Sequence, residues 1–280
     1  STERELSCDA GHTFPVASGV PILVPPDESA EVAMQHLHQR EFYDRVYEDP
    51  GGYRVELWQQ SYVNRLSPLW VGGGDPFIDV GAGGDAYTVI EAAKAGMHAV
   101  GCDLSPEAMI RSKRLAAAEG VADRCEFVVC LAESLPFADR SFQSAASVHV
   151  LEHLPDDRAA LRELARITRP GARVFIGVPN SFDHMPRLLR PIYRWHDRRI
   201  GHLRQYSPDD LVEKASAAGF RPLKTAISAH WVKVWQLAIH LPLQRLHIKD
   251  DRLWWWLERM DQRATSRPNG LHINLFLERS

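Results

Sequence analysis

The sequence predicts an α/β fold, a largely parallel sheet with helices on both faces. Three observations predict it. Through the middle of the chain, apolar runs of strand length alternate with stretches of helical period. One such run, "FIDV" at 77–80, hands over to a glycine-rich loop, "GAGG" at 81–84, before a helical period begins. A second run ends in an acid, Asp103, twenty-four residues after Asp79.

The elements follow in order. Residues 1–30 hold short β-like pieces broken by prolines and glycines, and predict a small hairpin with a linker. Residues 31–70 predict a helical cap: Val32, Leu37, Phe42, Val46 and Tyr47 recur near helical spacing. "DPGGY" ends that helix, and a second is expected from Arg54 to Leu66. The main domain, 71–280, opens with expected strands at 76–80, 97–102, 125–130, 143–149 and 172–178. Helices at 86–96, 106–119 and 157–168 fit between them. An arginine-rich insert at 181–206 follows "GVPN". "SPDDLVEKASAAGF" then reads as a helix with Ser207 as N-cap, Pro208 at N1 and Gly219 as the stop. A strand at 221–228, a helical insert at 231–262 and a last strand, "LHINLFLE", complete the chain.

A net charge of −3 excludes bulk nucleic-acid binding by overall attraction, so an anionic partner would need a local patch. The four cysteines, Cys8, Cys102, Cys125 and Cys130, form no paired framework and are expected reduced. The polar N-terminus is unlike a signal peptide, and no apolar run reaches the ~18 residues of a membrane span. The expectation is a cytoplasmic protein, able to touch a membrane surface.

Glycines directly after a buried strand let backbone approach a ligand closely, and the next helix points its N-terminus there. An acid at the tip of the second strand can take both hydroxyls of a ribose. Together Gly81, Ala82, Gly83 and Asp103 predict a nucleotide site, against the plainer alternative of a tight turn and a capping aspartate. Read from Gly81, the third glycine of G-x-G-x-x-G falls at Ala86, a permitted variant, so the loop alone does not separate NAD from other nucleotides.

The stretch from "FIDVGAGGDAYTVI" to "VGCDLSPEAM", and "FVVCLAESLPFADRSFQSAASVHVLEHLPDD" onward to "VFIGVPN", resembles the class I S-adenosylmethionine-dependent methyltransferases over residues 70–230. The resemblance implies a seven-stranded sheet whose last strand is antiparallel. It implies S-adenosyl-L-methionine as cofactor, with contacts from Asp79, Gly81, Ala82, Gly83, Asp85, Asp103, Leu104, Ala132, Glu133 and His149. Two departures stand out. Asp85 occupies a position that is often glycine, where it could cap the next helix or face the cofactor. Leu131 occupies a position that is often acidic, leaving the adenine to backbone groups or Glu133.

His149, Glu152 and His153 in "SVHVLEHLP" stand at i, i+3 and i+4 and would share one face of a helical turn. The turn resembles that of the ubiquinone-biosynthesis O-methyltransferases, where two glutamates and a histidine bind a metal. Here that implies a Mg2+ site at His149, Glu152 and His153, with His149 replacing the first glutamate. A histidine base oriented by Glu152, or a purely structural turn, are the alternatives. His202, before the helix at 208, is a further candidate base.

Six arginines in "MPRLLRPIYRWHDRRIGHLR", with Asp197 the only acid, suggest a lid over an anionic or lipid-linked acceptor. Arg194, Trp195, Arg198, Arg199, Tyr206 and Asn180 are the candidate substrate residues. The helical stripe Trp231, Val234, Trp235, Ala238 and Leu241, with Trp254–Trp256 beyond it, suggests core packing, a homodimer contact or peripheral membrane contact. "LSCDAGHTFPVASGVPIL" resembles half of a zinc-ribbon module. Only Cys8 and His12 are available there, so a metal-free hairpin is expected.

The expected activity is O-methylation of a small-molecule, sugar or lipid-linked acceptor. "VPN" lacks the N/D-P-P-Y/F pattern of amino-group methylators. The alternatives are N-methylation, a non-catalytic S-adenosylmethionine-binding subunit, or a different reaction on the same scaffold.

Overall fold

The computed structural model describes residues 4–9, 11–25, 36, 37, 39–41, 44, 52–71, 74–184, 187, 190–230, 256, 259–261 and 269–280. Its centre is a seven-stranded sheet. Five strands run parallel or follow the parallel set: β4 (Phe77–Val80), β5 (Ala99–Asp103), β6 (Cys125–Val129), β7 (Phe142–Val148) and β8 (Thr168–Pro179). β9 (Phe220–Ser228) and β10 (His272–Arg279) complete it in the order β6-β5-β4-β7-β8-β10-β9. β10 is antiparallel to both neighbours. The expected seven strands with an antiparallel last strand are all present.

The sheet is covered on both faces. Helices α1 (Leu57–Trp70), α2 (Tyr87–Lys94) and α3 (Pro106–Ala118) pack on one side, through Leu66, Ile90 and Met109 against Phe77 and Phe175. Helices α4 (Asp157–Ile167) and α6 (Pro208–Ala217) pack on the other, through Leu161 and Leu211 against Ile78 and Ile176. Successive strand residues thus serve opposite cores, which is why β4 and the end of β8 are apolar at nearly every position. The helix starts are local chemistry. Ser105 Oγ accepts from Ala108 N at 3.0 Å with Pro106 behind it, and Ser207 Oγ accepts from Asp210 N at 3.2 Å with Pro208 behind it.

Two boundaries differ from expectation. α1 does not stop at Leu66 but continues to Trp70 through Pro68. Proline lacks the N–H that would bond Asn64 O; Ser67 Oγ donates to that carbonyl instead, at 3.2 Å. The extra turn buries Leu69 and Trp70, the latter edge-on to Phe77 at 6.0 Å. The N-terminal hairpin is a three-stranded sheet, β1 (Arg4–Ser7), β2 (Thr13–Ala17) and β3 (Val20–Pro21). It docks on the main sheet: Leu23 N donates to Val129 O at 2.8 Å, which covers the open edge of β6. Cys8 Sγ lies 3.5 Å from His12 Nδ1 on its surface.

Residues 36, 37, 39–41 and 44 of the expected cap are helical. The arginine-rich insert carries one helix, α5 (Arg190–Arg199). The helical insert expected at 231–262 falls almost wholly outside the described residues, as does the stripe from Trp231 to Leu241. No helix among the described residues is long and apolar enough to cross a membrane.

Candidate active site

A cleft of 370 Å³ opens at the carboxyl ends of β4, β5, β6 and β7, where parallel sheets present their ligands. Its floor is the glycine loop. Gly81 and Gly83 have φ of +82° and +62°, and Gly81 N and Ala82 N donate to Cys102 O at 2.8 and 3.0 Å. A Cβ on Gly81 would stand 2.1 Å from Val150 Cγ2, so only glycine lets this backbone pass.

Asp103 closes one side. One carboxylate oxygen accepts from Gly83 N at 3.0 Å and the other from Ser105 N at 3.0 Å. Each oxygen keeps a lone pair for a ligand hydroxyl. Burial raises the Asp103 carboxyl above the usual carboxylate range, opposed by its backbone hydrogen bonds. Leu104, Leu131 and Ala132 continue that wall, and Glu133 stands at its end. Both Glu133 oxygens are buried and accept no hydrogen bond from the described residues; His36 Nε2 is 3.6 Å from one of them. A buried carboxylate in that state suits a ligand donor such as an exocyclic amine.

Asp79 does not line the cleft. It is 3% exposed beneath the loop and accepts from the Thr88 hydroxyl, which ties β4 to α2. Burial pushes its carboxyl up to about 7. Asp85 does line the cleft but does not cap α2, whose N-cap is Ala86 at φ 38°. Asp85 instead accepts from Arg111 at 3.2 Å and Gln59 at 3.3 Å. Of these two partners, absent from the sequence reading, Arg111 offsets its charge and Gln59 ties it to α1. Trp58 and Tyr87, ring centroids 5.9 Å apart, cover the same end of the cleft.

The turn after β7 is tighter than an α-helix. Only Leu151–His153 form a 3-10 turn, and His149 precedes it with φ +58°. His149 still meets Glu152, Nδ1 to Oε1 at 3.1 Å, while its Nε2 lies 2.7 Å from Tyr62 Oη. Tyr62 Oη is 3.0 Å from His272 Nδ1. Glu152 is fully buried behind His149, which lines the cleft. His153 lines it too; burial lowers its imidazole below the ordinary value.

His202 sits outside the cleft wall. Asp197 holds its Nδ1 at 2.5 Å and Gln205 holds Asp197 at 2.8 Å. The lone acid of the arginine-rich segment thus positions a histidine. Among the described residues, the trio whose donor atoms converge is Glu152, His153 and His202, within 4.8 Å. His149 is not in it; its Nδ1 meets Glu152 Oε1 at 3.1 Å and its Nε2 meets Tyr62 Oη at 2.7 Å. The expected set of His149, Glu152 and His153 is corrected accordingly. Two imidazoles and one carboxylate also suit a transition ion better than Mg2+, which prefers oxygen ligands.

The expected substrate residues do not gather at the cleft. Tyr206 is buried, its hydroxyl donating to Asp157 Oδ2 at 2.8 Å and lying 3.1 Å from Leu151 O. Asn180 is buried and donates to Gly270 O at 2.8 Å, holding the approach to β10. Both are framework. Arg194 and Trp195 are exposed on α5, Trp195 at 61%. The side chains of Arg198 and Arg199 lie outside the described set. Arg204 binds the carbonyls of Leu154 at 2.6 Å and Pro155 at 3.0 Å, so it shapes the turn rather than an acceptor.

Residues 78–176 match the family model described as a methyltransferase domain. The domain belongs to the class I S-adenosylmethionine-dependent methyltransferases. Over 150 residues the chain is 33% identical to the ubiquinone/menaquinone biosynthesis C-methyltransferase UbiE of Bradyrhizobium diazoefficiens, covering 52% of this chain and 58% of that one. Over 157 residues it is 39% identical to the protein named "Probable tocopherol O-methyltransferase, chloroplastic" of Oryza sativa subsp. japonica, covering 53% and 43%. The chain therefore spans about half the length of these relatives, 58% of one and 43% of the other. Among solved structures, phosphoethanolamine N-methyltransferase 2 of Haemonchus contortus, in complex with S-adenosyl-L-methionine, superposes with a TM-score of 0.63 at 15% identity. That match covers 86% of this chain and 60% of that one. The [4+2]-cyclase SpnF matches at 0.60 and 22% identity, over 89% and 95%. At those identities the likeness shows the shared methyltransferase fold.

Proposed function

We propose that the protein transfers a methyl group from S-adenosylmethionine to a hydroxyl of a small-molecule, sugar or lipid-linked acceptor. The observation that carries this reading is one cleft with a nucleotide cradle at one end and a histidine–carboxylate pair at the other. Gly81, Gly83 and Asp103 would hold the methionine and ribose parts, and Glu133 the adenine edge. The cofactor, when bound, supplies an electrophilic methyl group on a sulfonium. The chain's own task is to align the acceptor oxygen and remove its proton. His149, 3.1 Å from the buried Glu152 carboxylate, would receive that proton. Trp58 and Tyr87 add apolar ring surface to the cleft wall.

C-methylation is the second reading, favoured by the 33% identity to a protein named as a C-methyltransferase. Deprotonation of a ring hydroxyl activates the neighbouring carbon as well as the oxygen, so the same histidine serves both. A cation held by Glu152, His153 and His202 would lower the hydroxyl's acidity barrier as a Lewis acid. Exposed Trp195, Trp256 and Met260 would suit contact with a membrane surface carrying a lipid-linked acceptor, or with a second copy.

The test is incubation with methyl-labelled S-adenosylmethionine and extracted small-molecule, glycan and lipid fractions, with and without chelator. Acceptor-dependent S-adenosylhomocysteine and an O-linked label are expected. A carbon-linked label would select the second reading. Cofactor binding without any acceptor-dependent turnover would support a non-catalytic subunit instead.

A further inference from the structure

Charge is unevenly spread along this chain. The segment from Met185 to Arg204 carries six arginines and one acid, a local charge of +5 in a chain of −3. Its helix, α5, sorts that charge. The Asp197 side chain, 14% exposed, turns inward, 2.5 Å from His202 Nδ1 and accepting from Gln205 Nε2 at 2.8 Å. Arg204 also turns inward, onto the carbonyls of Leu154 and Pro155. Arg187 and Arg194 are exposed. Arg190, Arg194 and Arg198 recur at every fourth position of the helix. Trp195 stands two positions before Asp197, which on a helix is the opposite side, and it is 61% exposed.

The helix therefore keeps its acid inside and shows arginine and tryptophan outside. A short basic helix of this kind lies flat in a lipid interface. Arginine forks pair with lipid phosphates, and each basic residue close to an anionic surface strengthens binding ~5-fold. A tryptophan ring settles at headgroup level, where its body is apolar and its N–H finds an acceptor. Charge alone is screened by salt, so the ring supplies the second signal that stable attachment needs. An exposed helix face gives a small soluble anion no enclosure, whereas a bilayer meets it as a plane.

α5 also adjoins the cleft. The chain leaving it packs on the turn after β7: Gly201 O is 3.3 Å from His153 Nδ1, and Leu203 N donates to Glu152 O at 2.8 Å. The rings of His202 and His153 are 4.7 Å apart, and His153 lines the cleft. Leu203 is itself 48% exposed, which adds apolar surface to this connection. We propose that α5 is an interfacial anchor that seats the protein on an anionic lipid bilayer, with its arginines on lipid phosphates and Trp195 in the headgroup layer. The anchor brings the cleft to the bilayer and so selects an acceptor held in the membrane. That selection rests on the methyl-transfer reading above; the anchor itself does not.

Vesicle flotation of the full chain tests the anchor without a known acceptor. Phosphatidylcholine vesicles containing phosphatidylglycerol should carry the protein up, pure phosphatidylcholine should not, and added salt should release it. Arg194→Glu should weaken the attachment ~10-fold or more, as one basic charge is lost and an acidic one gained. Brominated lipid should quench tryptophan emission, and Trp195→Ala should remove most of that quenching. Amide spectra of each variant confirm its fold. Equal binding to neutral and anionic vesicles, no binding to either, or attachment unchanged in Arg194→Glu would overturn the proposal. So would retention on heparin without vesicle binding, or a dimer in solution that Trp195→Ala breaks. Calorimetry with S-adenosylhomocysteine on the wild type separates the two ideas. Cofactor binding without vesicle binding ends the anchor alone, whereas vesicle binding without cofactor binding ends the methyl-transfer reading and leaves the anchor standing.

Discussion

The two ends of the cleft are built in opposite ways. The nucleotide end comes from consecutive turns: the loop at 81–84, Asp103 at the tip of β5 and Glu133 after β6. Its contacts are backbone geometry and single acids, each set by residues close in sequence. The histidine end draws Tyr62 from α1, His149 and Glu152 from the turn after β7, and His272 from β10. Tyr62 and His272 meet across a sequence separation of 210. A nucleotide is recognised by groups that a short motif can carry. The histidine end is a cluster of side chains aimed at one another from several elements, and only the closed sheet brings these together.

The contrast makes the two ends separable by mutation. The largest effect is expected at the nucleotide end. Asp103→Ala removes the ribose acceptor and releases Gly83 N, and should weaken S-adenosylhomocysteine binding ~100-fold or more, about 3 kcal/mol for charge-assisted bonds lost. Calorimetry reads this directly. Gly81→Ala meets both a left-handed φ and Val150, and should lower unfolding free energy by about 2–4 kcal/mol in a urea melt.

Asp79 sharpens the comparison through pH. Its folded value, about 7, lies above the ordinary 3.8, so the fold favours the protonated form. The stability this gives is complete below about pH 4 and is lost as pH rises through 7. Asp79→Asn should flatten the stability–pH curve over that window, a difference of no more than about 4 kcal/mol. A curve as steep as wild type would show that another group titrates. The smallest effect is expected across the divide. Tyr62→Phe at the histidine end should change S-adenosylhomocysteine affinity by less than about twofold, because Tyr62 touches no part of the nucleotide cradle. A large loss would mean that the two ends are one unit.

Much of the fold was legible because parallel strands buried on both faces write themselves as apolar runs, and helices write their caps. Ser207 and Pro208 marked a helix start where the structure has it. The nucleotide end was legible for the same local reason. Asp79 was misplaced, while Asp85 lines the cleft but does not cap the helix, because a motif gives position along the chain, not which side of the loop a carboxylate faces. His149, Glu152 and His153 stood out by spacing, but spacing assumed an α-helical turn, and the left-handed His149 breaks it. Tyr62 was hidden in a helix whose apolar stripe absorbed it. His272 had a faint signal, a histidine opening the otherwise apolar strand "INLFL". Tyr206 and Asn180 look like substrate residues in sequence because buried polar side chains and ligand-binding ones share the same composition.

The central claim is that the cleft is an S-adenosylmethionine site. Calorimetry of the purified chain with S-adenosylhomocysteine, with NAD as control, tests it most directly. The account predicts micromolar binding of S-adenosylhomocysteine that Asp103→Ala weakens ~100-fold or more, and no binding of NAD. Binding of NAD in its place, or S-adenosylhomocysteine affinity untouched by Asp103→Ala, would contradict it.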